Sequence, residues 1–191
     1  MKRLADGTEC LLGLGANLAF ESRMPADTLS EAITAISQKV LCDLVESGFY
    51  RSTPVPHTDQ PDFVNCVIGG KTTLSPTELM AACQSIETRF GRVRDGRWHA
   101  RTLDIDILAY GGQIIPGAGA WQTLKEAGRD GTVAAELIVP HPRLHERGFV
   151  LKPLAEILPD WMHPVLGQTP AEMLNSLSPQ EVDDVRPFFA E

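Results

Sequence analysis

Two aspartates one residue apart, Asp104 and Asp106, are the residues whose type and spacing point most directly to chemistry. They lie in a segment, 101–108, where polar and apolar residues alternate as in a strand with one buried face. Because successive side chains point to opposite faces of a sheet, both carboxylates share one face. Their mutual repulsion is removed by a divalent cation, and Mg²⁺ prefers carboxylate oxygens. The pair predicts a magnesium site, with a solvent-facing strand edge as the alternative.

A basic segment comes directly before these aspartates. Its four arginines are Arg92, Arg94, Arg97 and Arg101. The guanidinium group suits phosphate oxygens and the charge that develops on them during transfer. A solvated basic loop is the plainer interpretation, but a basic loop beside paired acids in an acidic chain favours a site for a nucleotide and its metal.

Two further motifs are less specific. The glycine-containing segment 13–17 lacks the Lys-Ser/Thr of a phosphate loop and the third glycine of a dinucleotide fingerprint, so a tight turn beside the sheet is the better interpretation. His141 and His145 have the i, i+4 spacing of a zinc pair, but Pro142 and the absence of a third ligand nearby disfavour that site. His141 and Arg147 either face phosphates or belong to a surface turn, and the residues alone leave both open.

Composition limits the classes of protein to which the chain can belong. Hydrophobic residues make up 43%, charged residues 22%, and the formal net charge is −8. This is a globular composition, and its negative charge disfavours nucleic acid as a partner. The sequence shows neither a signal peptide nor an apolar run of membrane-spanning length, and the four cysteines have no metal or redox spacing. We expect a cytoplasmic monomer that binds neither nucleic acid nor membrane.

The elements that must position these residues are strands and helices in a regular order. Apolar periodicity predicts strands at 10–15, 44–51, 63–73 and 102–110, and helices at 25–39 and 76–90. The order strand, helix, strand, strand, helix, strand is the ferredoxin-like βαββαβ pattern of the α+β class. Such a core has an antiparallel sheet with helices on one face, and we expect the other face to be open.

The rest of the chain adds to this core. Residues 112–136 are predicted to be an inserted loop with a short helix near 121–127, and further helices are predicted at 149–158 and from Thr169 onward. We predict one domain, 1–191, with peripheral tails at 1–8 and 179–191.

Taken together, the motifs resemble those of the hydroxymethyl-dihydropterin pyrophosphokinases of folate biosynthesis. The resemblance covers roughly residues 10–177, and seven motifs occur in the family's order. They are Gly-x-Gly-x-Asn-Leu at 13–18, Phe-Tyr-Arg-Ser-Thr-Pro-Val at 49–55, Asp-Gln-Pro-Asp-Phe-Val-Asn at 59–65, Gln-Ser-Ile-Glu at 84–87, Gly-Arg-Val-Arg at 91–94, Arg-Trp-His-Ala-Arg-Thr-Leu-Asp-Ile-Asp at 97–106, and Val-Pro-His-Pro-Arg-Leu-His-Glu-Arg-Gly-Phe at 139–149. The chain departs from the family at His99, where glycine is usual, and in its longer segment 111–136.

The resemblance implies transfer of a diphosphate group from ATP to the hydroxymethyl arm of a reduced pterin, with release of AMP. It implies two Mg²⁺ ions held by Asp104 and Asp106, and a loop carrying Arg92 and Arg94 that closes over the transferring group. The residues implied around ATP are Gln84, Glu87, Trp98, Arg101, Ile107, His141 and Arg147. The residues implied around the pterin are Ser52, Thr53, Val55, Phe63, Asn65 and Phe149.

Other interpretations stay open on the sequence alone. A different magnesium nucleotidyltransferase would use the same acid pair, and a ferredoxin-like module without activity would bind a ligand or a protein. A nucleic-acid reader would need aromatic and basic residues on the sheet, where this chain has paired acids. Phe63 and Phe149 are also compatible with plain core packing, and association with other folate-pathway enzymes is left undecided.

Overall fold

The computed structural model of the chain describes residues 7–55, 59–92, 100–126 and 137–189. The strands are β1 (Thr8–Ala16), β2 (Cys42–Glu46), β3 (Tyr50–Ser52), β4 (Phe63–Thr72), β5 (Asp104–Tyr110) and β6 (Arg186–Pro187). They form one antiparallel sheet in the order β5-β1-β4-β3-β6, and β2 also pairs with β4. The helices are α1 (Pro25–Lys39), α2 (Pro76–Arg89), α3 (Ala118–Glu126), α4 (Gly148–Ile157), α5 (Pro170–Leu174) and α6 (Pro179–Asp183). The α+β class and the ferredoxin-like order of β1, α1, β2/β3, β4, α2 and β5 agree with the sequence prediction.

Local sequence signals set the ends of α2. The Ser75 side chain accepts a hydrogen bond from the Glu78 backbone N–H, and the Glu78 carboxylate accepts one from the Ser75 backbone N–H. This capping box satisfies two N–H groups that the first turn of a helix leaves without partners. After the last turn, Gly91 has a φ of 74°, in the left-handed region that favours glycine. The helix therefore begins and ends where the sequence predicts.

Helices cover the two faces of the sheet to different extents. The first face packs against α1 and α2 around buried residues such as Leu12, Ile36 and Leu79. The second face, which we expected to be open, carries a smaller cluster in which Leu11, Val67 and Leu108 pack against α4 and α5. These apolar residues need cover from water, which the C-terminal helices supply at one end of the sheet. The other end of this face carries the acid pair.

Two parts of the chain differ from the sequence prediction. The expected strand 44–51 is two strands, because at Ser47 the side-chain Oγ accepts a hydrogen bond from the Val67 N–H and replaces part of the ladder. The segment 179–191, predicted as a tail, contains α6 and then β6, which pairs with β3. Val185 between them is 3% exposed, so the fold extends to the C-terminal end of the described chain.

The predicted inserted loop begins directly after β5. It contains the helix α3, and Ile115 forms an isolated antiparallel bridge with Val139. Residues 127–136 lie outside the described part of the chain.

Gly91 gives a test of how the end of α2 is fixed. A Cβ at this position would overlap the Phe20 ring, and the left-handed φ adds a backbone penalty for any other residue. We expect Gly91→Ala to lower the free energy of unfolding by roughly 2–4 kcal/mol, measured by urea denaturation. Gly112→Ala is the matched control, because a Cβ there meets nothing within 4 Å; its effect should stay within about 0.5 kcal/mol. Equal stability of the two variants would contradict the proposed constraint.

Candidate active site at the open end of the sheet

The register of the sheet places polar residues from three strands in one row. Asp104 on β5 lies opposite Gly15 on β1, and Gly15 lies opposite Asn65 on β4. Directly opposed residues of antiparallel strands point to the same face, so Asp104 and Asn65 lie roughly 10 Å apart on it, two strand spacings. The glycine between them leaves the floor of the row free of a side chain. The predicted tight turn at 13–17 is therefore mostly strand, since β1 continues to Ala16.

The two aspartates share a face, as the alternation predicts. Their side chains are 20% and 37% exposed for Asp104 and Asp106, respectively. Ile105 and Ile107 point the other way and are each 7% exposed in the core beneath α1 and α2. Any contact of Ile107 with a nucleotide therefore depends mainly on its main chain.

Asp104 is held by two guanidinium groups. Arg92, just after α2, donates to one carboxylate oxygen of Asp104, and Arg101, just before β5, donates to the other. Arg92 also donates to Glu87 Oε1. Burial alone would lower the pKa of Arg92, but these carboxylates raise it above its ordinary value, so Arg92 is a permanent cation. The acid that could hold a metal is thus charge-neutralised by the chain itself.

Asp106 faces a second basic group. Arg147 Nη1 donates to Asp106 Oδ2 at 3.0 Å, and His141 Nε2 lies 3.8 Å from the same oxygen. Burial raises the pKa of Asp106, but the charges of His141, Arg147 and Arg101 lower it by more, so the pKa lies below its ordinary value. Burial and the neighbouring Arg147 lower the pKa of His141 to about 4. The imidazole is therefore neutral near pH 7, and Arg147 is the main cation that Asp106 faces there.

Glu87 links α2 to the strand that carries the acids. Its side chain is 5% exposed, and its Oε1 accepts the backbone N–H of Ile105 at 2.8 Å as well as the bond from Arg92. Gln84 lies on the same helix, nearly one turn earlier, and is half-buried. The family resemblance implies that both residues surround a nucleotide, and the structure places Glu87 at the base of the acid pair.

Three of the residues predicted to contact a pterin, Ser52, Phe63 and Asn65, lie on the β4 side of the same face. Asn65 Nδ2 donates to Ser52 Oγ at 2.9 Å and to the Tyr50 carbonyl at 3.4 Å. Phe63, two residues before Asn65 and so on the same face, is half-buried. Phe149 is the second residue of α4 and is half-buried. The guanidinium carbon of Arg147 lies 5.6 Å from the centre of its ring.

Some predicted site residues lie at or beyond the limits of the described chain. Thr53 is half-buried, whereas Val55, the last described residue before a gap, is 42% exposed. Arg94 and Trp98, together with Arg97 and His99, lie outside the described residues. Their predicted roles stay predictions.

Asn17 is a site residue that we did not predict. It is 3% exposed, and its Oδ1 accepts the Arg101 N–H at 2.7 Å. Its Nδ2 donates to the Pro61 carbonyl at 3.1 Å and to Gln60 Oε1 at 3.3 Å. One amide thus joins the end of β1 to the loops before β4 and before β5. The available signal was the Asn that follows the paired glycines, which we interpreted only as part of a turn.

Oxygen donors of the type Mg²⁺ prefers are present in the pair Asp104 and Asp106, and Mg²⁺ is commonly held by one or two carboxylates plus phosphate oxygens. The described residues contain no cluster of three or more His, Cys, Asp or Glu that could hold a metal by itself. The site therefore fits an ion that arrives with a phosphate ligand. Within the same residues, no helix has the length and apolar character needed to span a membrane.

Comparison with known proteins supports the same chemistry. Residues 11–159 match the family described as 7,8-dihydro-6-hydroxymethylpterin-pyrophosphokinase. A 2-amino-4-hydroxy-6-hydroxymethyldihydropteridine pyrophosphokinase of Haemophilus influenzae is 41% identical over 154 residues, 80% of this chain and 83% of that relative. One of Methylorubrum extorquens is 35% identical over 178 residues, 93% of this chain and 99% of that relative.

Solved structures support the fold alone. The crystal structure of a Plasmodium falciparum HPPK-DHPS variant superposes with a TM-score of 0.70 at 15% identity. The match covers 98% of this chain and 49% of that one, so the chain spans about half the length of that protein.

The Asn17 bridge can be tested without any ligand. Asn17→Leu keeps the branched shape of the side chain but leaves the part-buried Arg101 N–H and the Pro61 carbonyl without the Asn17 amide. We expect a loss of roughly 1–3 kcal/mol in unfolding free energy, together with faster hydrogen exchange at the Arg101 amide. Asn175→Ala, at the exposed end of α5, is the control and should change neither. Unchanged exchange at Arg101 in the Leu variant would argue against the bridge.

Proposed function

The chain belongs to the 7,8-dihydro-6-hydroxymethylpterin-pyrophosphokinase family, and we propose that it transfers diphosphate from ATP to 6-hydroxymethyl-7,8-dihydropterin in folate biosynthesis. The observation that carries this proposal is the placement of Asp104 and Asp106 on one sheet face, each paired with arginine. The pterin hydroxyl attacks the β-phosphorus of ATP, so two phosphates move together and AMP leaves.

Asp104 and Asp106 would hold two magnesium ions in this proposal. The ions would supply charge neutralisation at the phosphate oxygens and would orient the triphosphate relative to the alcohol. The chain's own part is to present two carboxylates at adjacent same-face positions of a rigid strand. Glu87 keeps that strand in place through the Ile105 N–H. Phosphoryl transfer depends on positioning and charge neutralisation, so no strong general base is assigned.

The arginines change partners when the nucleotide binds. Arg92 and Arg101 balance Asp104, and Arg147 balances Asp106, while the carboxylates lack a metal. When the aspartates instead hold Mg²⁺, the guanidinium groups are available for phosphate oxygens, which match their geometry. Arg92, with Arg94 two residues later in the sequence, then stabilises the transferring group, and His141 and Arg147 contact the nucleotide. Gln84, Trp98 and Ile107 complete its surroundings.

The pterin binds at the Asn65 end of the row. A flat polar heterocycle fits between Phe63 and Phe149, and the Asn65 amide both donates and accepts hydrogen bonds at its edge. Ser52 already fixes the rotamer of Asn65 through a 2.9 Å bond. Ser52, Thr53 and Val55 border the ring on the β3 side.

Gly15 leaves room for the ring's substituent to extend from Asn65 toward Asp104 along the row. The hydroxymethyl arm thereby reaches the place where the triphosphate is held. A monomeric state and a cytoplasmic location stay predictions from the sequence, which leaves association with other folate-pathway enzymes open.

The metal assignment makes a direct prediction. Asp104→Asn and Asp106→Asn each remove one oxygen ligand and one charge, so AMP formation from ATP, Mg²⁺ and the pterin alcohol should fall roughly 10³-fold or more. Circular dichroism should remain that of the parent. Asp183→Asn, at the end of α6, is the matched control and should retain full activity. Near-parent turnover by either site variant would exclude the proposed magnesium ligands.

The exchange of partners by Arg92 makes another prediction. Arg92→Ala should slow the single-turnover rate about 10²- to 10³-fold, because a cation near the transferring group is lost. In the absence of nucleotide the same variant should bind Mn²⁺ more tightly, measured by electron paramagnetic resonance, since Asp104 has lost a competing cation. Arg89→Ala, on the exposed last turn of α2, controls for general charge. Identical rates and Mn²⁺ affinities for the two variants would refute this role.

A further inference from the structure

The helix α3 of the inserted segment buries one side chain completely against the rest of the domain. Trp121 is 0% exposed and is the only buried residue of that helix. The indole ring therefore decides where the helix sits, and its contacts indicate what the inserted segment does.

The Trp121 ring packs against two histidines, His145 before α4 in the chain and His163 after it. Its ring centre is 6.0 Å from that of His145 and 5.3 Å from that of His163. His163 is fully buried, and its Nδ1 accepts the N–H groups of Val165 and Leu166, each at 3.2 Å. Nδ1 is then the acceptor, so Nε2 carries the proton and has no lone pair for a metal. The two histidine rings form an aromatic socket for the indole, and His163 in this tautomer is not a metal ligand.

The indole N–H makes the connection to the active site. Trp121 Nε1 donates to the Pro140 carbonyl at 2.7 Å in a buried hydrogen bond. The next residue, His141, donates its own N–H to the Leu108 carbonyl of β5 at 2.8 Å. Its Nδ1 accepts the Arg143 N–H at 3.1 Å, which leaves Nε2 directed at Asp106. The peptide group held by Trp121 is thus the one that immediately precedes the active-site imidazole.

We propose that Trp121 is a positioning residue for the nucleotide site, because its buried bond to Pro140 fixes the backbone that presents His141 beside Asp106. The inference rests on the proposed function only in that His141 faces the nucleotide. The Ile115–Val139 bridge holds the same segment two residues earlier, with N···O distances of 2.8 and 3.2 Å. Trp121 therefore acts on the last peptide before the imidazole.

Trp121→Phe tests this role while keeping an aromatic ring in the socket. The variant removes the N–H together with part of the ring volume, and Trp161→Phe carries the same change of ring. We expect affinity for a non-hydrolysable ATP analogue with Mg²⁺ to fall roughly 5- to 20-fold, the effect of one buried hydrogen bond. Affinity for the pterin alcohol, measured by calorimetry without nucleotide, should not change. Trp161→Phe is the matched control, since that indole packs on the same His163 with ring centres 5.7 Å apart.

Two readouts separate positioning from a merely structural effect. The imidazole NMR signals of His141 in the ligand-free protein should shift in Trp121→Phe and not in Trp161→Phe. In a His141→Ala background, Trp121→Phe should cause no further loss of analogue affinity, because the residue acts through His141.

Unshifted His141 signals overturn the proposal, as does an equal loss of analogue affinity in both backgrounds. Shifted signals together with a loss confined to the parent background support it. If the unmodified chain bound no ATP analogue while the His141 signals still shifted in Trp121→Phe, the positioning of His141 would stand and the proposed function would fail.

Discussion

Two carboxylates on the same face of one strand repel each other, and much of the site is arranged to offset that repulsion. The compensating cations come from separate parts of the chain: Arg92 follows α2, Arg101 precedes β5, and Arg147 precedes α4. Opposite charges this close attract strongly in a partly buried site. The acid pair therefore fixes the relative positions of three segments before any ligand binds. A ligand that draws an arginine away from an aspartate must supply another cation to the carboxylate. A complex of magnesium with a triphosphate does both, because the phosphates bind the arginine and the metal binds the carboxylate.

Space is the second requirement, and glycines in β1 provide it. Gly15 stands between Asp104 and Asn65, and Gly13 stands opposite Asp106 in the next row. A Cβ at Gly15 would lie 3.1 Å from Asn65 Oδ1, and one at Gly13 would lie 3.3 Å from a Leu108 methyl carbon. Side chains there would crowd the floor across which the two substrates must meet. The glycine motif thus serves the site through the sheet surface rather than through a phosphate-binding loop.

Features determined by neighbouring residues could be predicted from the sequence. The capping box at Ser75 fixes the start of α2, and strict alternation fixes the common face of Asp104 and Asp106. Features that depend on residues far apart in the chain could not. The interruption at Ser47 needs Val67, and the bridge made by Asn17 needs Pro61 and Arg101. The same limit explains why the second face was expected to be open, since α4 covers it only through long-range packing.

The inserted segment directly follows β5, the strand that carries Asp104 and Asp106, so its extra length must be accommodated without displacing that strand. The Ile115–Val139 bridge closes the segment near its base, so chain added beyond that point is separated from β5 and His141. Lengthening a closed loop costs little, because the entropy of closure rises only with the logarithm of its length. Such a loop has no need to contact the site. Trp121 nevertheless donates a hydrogen bond to the Pro140 carbonyl, next to His141. This contact couples the inserted segment to the site, which a loop that only connects two elements would not do.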